Sequence, residues 1–445
     1  MKVFDVLLAF VALSALLLLA TVLRQRLGWV RRLGLPEALI AGLLGLLVGP
    51  FSPWSPLPQQ VYDVWSQTPG VLIALVFASL FLGQRLPSAQ VLWQRAASQT
   101  CFGMVLGFGQ YLVGGVLVLL VLQPLLGVNP LMACLIEVGF EGGHGTAAGM
   151  GPTFDDLGLP AGEALGLAMA TVGVLAAVLV GSTLVVIGRS LAWLQGDDTP
   201  APADPPEPSH TTAAVQGTAT IDQLTVNLAL TGAAVGLGVL LRETLLALGG
   251  LGGPGGARLL AAIPLFPLAM IGGLVLQLLL QRLDGEAVVS ARLQGSIGSL
   301  AMDLLITAAM ASLNLPLLEE NWLAFALLAV VGLLWNLAVV LLLAPRMFRD
   351  HWFERAIADF GQGTGVTATG LLLLRMADPR GRSRVLEAFS FKQLLFEPFL
   401  GGGLITALAP IALAAWGLPH WTAMALALTL MAALLGLGMA HRSSP

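Results

Sequence analysis

The sequence predicts an all-α, polytopic membrane protein built from two inverted-topology repeats of five spans each. Each repeat carries a re-entrant hairpin, and one extra span follows at the C-terminus. Three observations lead there. Of 445 residues, 57% are hydrophobic and only 10% charged, against about 25% charged in soluble domains. Apolar runs of roughly 18 to 25 residues recur along the chain, each able to cross ~30 Å of hydrocarbon. Two Gly/Thr-rich stretches, 139–154 and 358–370, read as copies of one another about 220 residues apart.

Taken in order, the first half gives spans near 3–23, 36–49, 69–83, 99–123 and 161–187. The run 3–23 resembles a signal peptide, but Arg24-Gln25-Arg26 stands where a small-residue cleavage site belongs, so it reads as a retained span. Spans 36–49 and 69–83 are short and need flanking residues or local thinning to cross. The second half gives 224–247, 258–281, 296–313, 321–344 and 394–416, then 421–440.

Orientation follows from the basic residues, which mark cytoplasmic loops. Arg24, Arg26, Arg31, Arg32, Arg85, Arg95, Arg189, Arg282, Arg292, Arg346, Arg349, Arg355, Arg375, Arg380, Arg382, Arg384, Lys392 and Arg442 share one side if the N-terminus is outside. Only Lys2, Arg242 and Arg258 sit elsewhere. Five crossings precede the second half, so the two halves enter the membrane from opposite faces, as in many secondary transporters. The boundaries expected are 1–194 for the first repeat and 223–416 for the second, with 417–445 as extra span and tail. Between them, 195–222 is rich in Pro, Ala, Thr and acid and reads as a flexible cytoplasmic tether.

The paired Gly/Thr motif marks the hairpins, about 130–155 and about 351–376. Gly143-His144-Gly145-Thr146 aligns with Gly361-Gln362-Gly363-Thr364. A reversal at membrane depth needs φ > 0 and close backbone approach, which glycine tolerates at least cost. Peptide groups freed there must face protein, water or a ligand, never lipid. The N–H groups opening the return limbs suit a carboxylate. Freed carbonyls, with the hydroxyls of Thr146, Thr364, Thr367 and Thr369, are oxygen ligands of the kind Na⁺ takes. Gly107, Gly114, Gly115 and Gly401–Gly403 read instead as helix-packing seams.

Ionisable groups within spans invite a functional reading. Asp303 is either a ligand for Na⁺ or an ammonium, or an acid tied to neighbouring hydroxyls. Asn336 is a carbonyl ligand or, by preference, an interhelical hydrogen bond; Gln110 reads as packing. Glu137 and Glu141 lie on the first hairpin's entering limb, and Glu141 adjoins the tip. Glu163 and Glu397 open spans, where a helix dipole accounts for them. Arg242 and Glu243 read as interfacial and Arg375 as a cytoplasmic anchor. His144 is a pH sensor or a simple hydrogen-bond donor. Cys101 and Cys134 lie in apolar stretches and read as buried thiols without disulfide or metal. The candidate substrate site is thus Gly143, His144, Gly145, Thr146, Gly361, Gln362, Gly363, Thr364 and Glu141. The candidate ion ligands are Asp303, Asn336, Thr367 and Thr369.

On these motifs the chain resembles the bacterial glutamate:sodium symporters, the ESS family. Gly142–Ala147 (GGHGTA) is similar to that family's first re-entrant tip, and Gly361–Thr364 with Thr367-Ala368-Thr369 to its second. The layout matches over essentially the whole chain; Glu141 and the stretch 371–379 depart from the pattern. The resemblance implies Na⁺-coupled uptake of L-glutamate in a bacterial inner membrane, a homodimer, and elevator-type movement of a domain carrying both hairpins. Na⁺ is the coupling ion, with no organic cofactor, no transition-metal site and no nucleic-acid partner. The alternative is a proton-coupled carrier or exchanger of another amino acid or organic anion, with Glu141 and Asp303 carrying protons. An embedded enzyme would need a nucleophile with a base or a metal cluster, which five scattered His and one mid-span Asp do not supply. The sequence contains no Walker A loop.

Overall fold

A computed structural model describes residues 3–28, 36–52, 55–84, 89–194, 221–251, 260–283, 288–379, 381, 383 and 385–442. The tether 195–220 and the basic residues Lys2, Arg31, Arg32, Arg85, Arg258, Arg380, Arg382 and Arg384 lie outside the described residues. Among those described, every regular element is helical, and nine helices are long and apolar enough to cross a membrane.

The first half comprises α1 (Val3–Arg26), α2 (Glu37–Leu46), α3 (Gln59–Ser79) and α4 (Ala89–Leu117). α4 runs on through a π-turn, Val118–Leu122, to Leu126. Short helices α5 (Leu135–Phe140), α6 (Gly143–Gly149) and α7 (Gly151–Asp156) follow, then the long α8 (Gly162–Ser190). The second half comprises α9 (Ile221–Leu251), α10 (Leu265–Arg282), α11 (Ala291–Ala311), α12 (Leu315–Glu320) and α13 (Trp322–Ala338). α13 likewise continues through a π-turn, Val339–Leu343. Then come α14 (Trp352–Ala377), α15 (Val385–Phe396), α16 (Leu404–Trp416) and α17 (Leu418–Arg442).

Sequence chemistry accounts for the less regular features. Pro124 and Pro345 stand just past the two π-turns. Proline lacks an N–H and its ring crowds the carbonyl four residues back, so the helix widens by one residue instead of breaking. α11 opens on Ser290, whose hydroxyl accepts from Leu293 N–H, and α12 on Asn314 followed by Pro316.

Three expected spans need correction. The span near 36–49 is only the ten-residue α2, about 15 Å long, half a bilayer. The span near 69–83 begins at Gln59 and runs through Pro69, because its polar first turns are helical rather than loop. The span near 394–416 is not one helix: α15 ends at Phe396, α16 starts at Leu404, and Gly401 (φ +69) and Gly402 (φ +99) lie between them. Gly401–Gly403 is therefore a backbone break, where it had read as a packing seam.

The two halves exchange partners. α1 packs on α2 and α3 as α9 packs on α10 and α11. α2 packs on α11 as α10 packs on α3, while α3 meets α11 and α4 meets α13. α17 has no counterpart and covers α4, with Thr422 against Gly115 and Trp421 edge-on to Tyr111, ring centroids 5.2 Å apart. Gly114 also packs closely, against the Ala133 carbonyl, so both glycines serve helix packing as expected.

α8 acts as a ruler for two helical hairpins. At its start Phe154 packs on Gly162, and one turn on Gly139 and Ala147 both pack on Gly166. In one straight helix, residues 139 and 147 would be about 12 Å apart, so the chain has reversed between them. Asn129 Nδ2 donates to Gly158 O at 2.8 Å and closes this hairpin's base. At the far end of α8, Phe353 packs on Gly188 and Arg189 donates to Met376 O at 3.0 Å. Those residues are the two ends of α14, which also reverses: Gly365 (φ −156, ψ 35) and Val366 (φ 68, ψ 170) interrupt it, and Gly361 lies against Gly370. The two broken segments are thus held at opposite ends of a helix about 43 Å long, and Phe140 of the first and Thr364 of the second both reach Gly173.

Gly173 faces the Thr364 carbonyl and the Phe140 ring with no room for a side chain. Gly173→Leu should lower stability by about 1–3 kcal/mol, read as a lower melting temperature of detergent-purified protein. Gly236→Leu, where an added Cβ meets nothing within 4 Å, should leave it unchanged.

Candidate functional site

The site is built from three backbone breaks that converge. The first lies between α5 and α6, where Gly143 has φ +72, a conformation glycine adopts at least cost. The second is Gly365-Val366. A β-branched residue at positive φ is an outlier, tolerated only where surroundings dictate it. The surroundings are the first tip: a Cβ on Gly143 would run into Val366 Cγ1. The third break, 397–403, touches both hairpins. Gly402 faces Thr146 on the first, and Glu397 accepts from Thr367 Oγ1 of the second at 2.6 Å.

Most candidate residues lie at these breaks, in three settings. Gly363 is against Asn336: a Cβ there would stand 2.9 Å from Asn336 Oδ1, and Gln110 Nε2 donates to the Gly363 carbonyl at 2.6 Å. Gln110 also lies 3.4 Å from Asn336 Oδ1, and its own Oε1 is buried without a hydrogen-bond partner. Gln110 therefore belongs to the second tip, where the sequence reading had it as packing only. His144 Nε2 lies 3.0 Å from Thr171 Oγ1 on α8, and Gly145 packs on Ile73 and Met302. Thr364 and Thr369 donate to the carbonyls of Phe360 and Gly365, their own helix.

Glu137 and Glu141 differ sharply. Glu137 accepts from Tyr111 (2.5 Å), Thr406 (2.7 Å) and Gly401 N–H (3.2 Å), tying the first hairpin to α4 and to the third break. Glu141 is 3% exposed, and neither carboxylate oxygen has a hydrogen-bond partner.

Asp303 stands apart. Its side chain is exposed and lines an open cleft of about 410 Å³ with Ser79, Gln84 and Ser299, between α3 and α11. Its neighbour Met302 packs on Gly145 of the first tip. Arg375 is likewise exposed.

Sequence reasoning missed a buried ion pair. Lys392, read as a cytoplasmic marker, is fully buried on α15 and donates to Asp359 Oδ1 at 3.1 Å and to Gln362 Oε1. Asp359 Oδ2 accepts from Gln99 Nε2 at 2.7 Å. The available signals were the one Lys of the second half, set among Phe389, Phe391 and Leu394, and an Asp three residues before Gln362, on one face of its limb. Glu397, read as a helix-dipole acid, bonds to Thr367 instead because the helix it was to open does not start there. Cys101 and Cys134 are buried free thiols.

No curated protein matches the sequence significantly. Residues 2–371 match the family described as sodium/glutamate symporter. The matched span includes both hairpin tips and stops before α15. A match over most of the chain, on a helical body with nine membrane-capable spans, means that this chain belongs to the sodium/glutamate symporter family, a family of transporters and not of enzymes.

Proposed function

We propose that the protein takes up L-glutamate with Na⁺ by alternating access, cargo and ion being held between the two hairpin tips. The observation that carries this reading is the meeting of Gly143 and Val366 midway along α8, with hairpins arriving from opposite ends. At membrane depth, peptide groups released at both breaks and at 397–403 must find partners. They are the polar surface that replaces water around a carboxylate and a cation. The swapped packing of α1–α3 and α9–α11 supports two inverted repeats, entered with the N-terminus outside and the tether and C-terminus cytoplasmic. The hairpins are then re-entrant loops. α4–α8 with α13–α17 form the mobile part of an elevator, sliding on α3 and α11 where these touch α6. α1–α3 and α9–α11 form the scaffold, which carries the homodimer contact in a bacterial inner membrane.

Na⁺ ligands are expected among Asn336, Thr367 and Thr369 and the freed carbonyls near them. Asp303 belongs to the scaffold in this reading. The proton-coupled alternative has one observation of its own, the buried and unpartnered Glu141.

Labelled glutamate should enter proteoliposomes under an inward Na⁺ gradient and not under a proton gradient alone; uptake with protons alone would favour the alternative. Gly143→Val should insert normally and reduce uptake to background, because Val366 and the positive φ leave no place for the side chain. Cysteines at Asp156 and Pro379, both exposed near hairpin bases, should react with an impermeant thiol reagent from opposite membrane faces. Labelling of both from one face would remove the inverted topology.

A further inference from the structure

Lys392 and Glu141 are the two buried charges whose environments are least alike. Lys392 is closed in: Asp359 and Gln362 accept from it, and its Nζ lies 3.9 Å from the Phe396 ring centroid. Glu141 has no hydrogen-bond partner. A buried carboxylate without a partner is among the costliest arrangements in a protein, so Glu141 calls for a cation.

Both groups rest on one face of α4. A Cβ at Gly103 would stand 2.5 Å from Lys392 Cε and 2.8 Å from its Nζ, and one at Gly107 2.5 Å from Glu141 Oε2. Positions four apart on a helix are neighbours, about 6 Å from each other. With glycine at both, no α4 side chain stands on the line joining them. A lysine has a flexible four-carbon stem, long enough for such a step. Gly107 is thus a close-packing position, as expected, and what packs on it is the Glu141 carboxyl group together with Leu400.

We propose that Lys392 is a tethered cation with two seats, the observed one on Asp359 and Gln362 and a second on Glu141. Na⁺ takes the first seat when Lys392 moves to the second. This rests on the sodium-coupled reading above. The carboxylate of Asp359 and the amide oxygen of Gln362 are hard oxygen ligands, and they sit about two turns and one turn before the break at Gly365-Val366. The exchange also balances charge. With Lys392 on Asp359, Glu141 has no partner; with Na⁺ on Asp359 and Lys392 on Glu141, both carboxylates are paired. Na⁺ entry then removes the Lys392 link between α15 and Asp359 while Gln393 keeps α15 on Thr367, and it ties α15 to the first hairpin as well, which couples the ion to both hairpins.

The test is the Na⁺ dissociation constant of purified protein in glutamate-free buffer, followed by thermal stabilisation with K⁺ as the ionic-strength control. Lys392→Met leaves the first seat open and should tighten Na⁺ binding about tenfold. Glu141→Gln removes the second seat and should weaken it by a similar factor, while Glu141→Asp retains most of the affinity. If both Lys392→Met and Glu141→Gln shift the constant in the same direction, the residues are structural and the proposal fails. Should Lys392→Met not fold, unchanged affinity in Glu141→Gln overturns it. A wild-type protein with no Na⁺ response overturns the sodium reading, and this proposal with it.

Discussion

Everything in this structure depends on one constraint: a broken backbone inside an apolar helical body must have all its freed groups answered by other groups. Three breaks in unrelated places would each need their own partners. Here the breaks lie against one another and share side-chain partners: Gln110 donates to the Gly363 carbonyl, Glu137 accepts from Gly401 N–H and Thr406 from Gly402 N–H. The consequence is a polar volume around the breaks, with Gln110, Glu137, Glu141 and Thr146 buried in it. A carrier needs such a volume, because an anionic cargo leaves its hydration shell only where fixed dipoles replace it.

Rigid helices hold the volume in place. α8 fixes how far each hairpin reaches: Gly162 and Gly166 seat the first, Gly188 the base of the second, and Gly173 the meeting point. Each of these glycines removes a side chain that would hold the hairpins off. α4 does the same for charge, with Gly103 and Gly107 receiving Lys392 and Glu141. Close approach, not flexibility, is what these residues contribute.

The polar interior is unevenly satisfied, and the pattern has meaning. Glu137 receives three donors and anchors. Asp359 is shared between Gln99 and Lys392. Glu141 and Gln110 Oε1 have no partner. Saturated groups in a low-dielectric interior rigidify their surroundings, while unsatisfied ones carry a cost that a ligand relieves.

The membrane class and most of the long helices were legible in the sequence, because apolar length acts locally, and Gly143 does take a positive φ. The second reversal falls at Gly365-Val366, two residues past the glycines that drew attention, since Gly361 and Gly363 serve close packing against Gly370 and Asn336. What only the tertiary structure decided was partnership. Lys392 looked like one more interfacial cation, and Glu397 like one more helix-opening acid. Their charges are matched by Asp359, 33 residues back, and by Thr367, 30 residues back. The break at 397–403 shows its purpose only beside the first hairpin. Local chemistry sets where a chain can bend. Which buried charges meet is set by packing between segments distant in sequence, and no pattern within one segment carries that information.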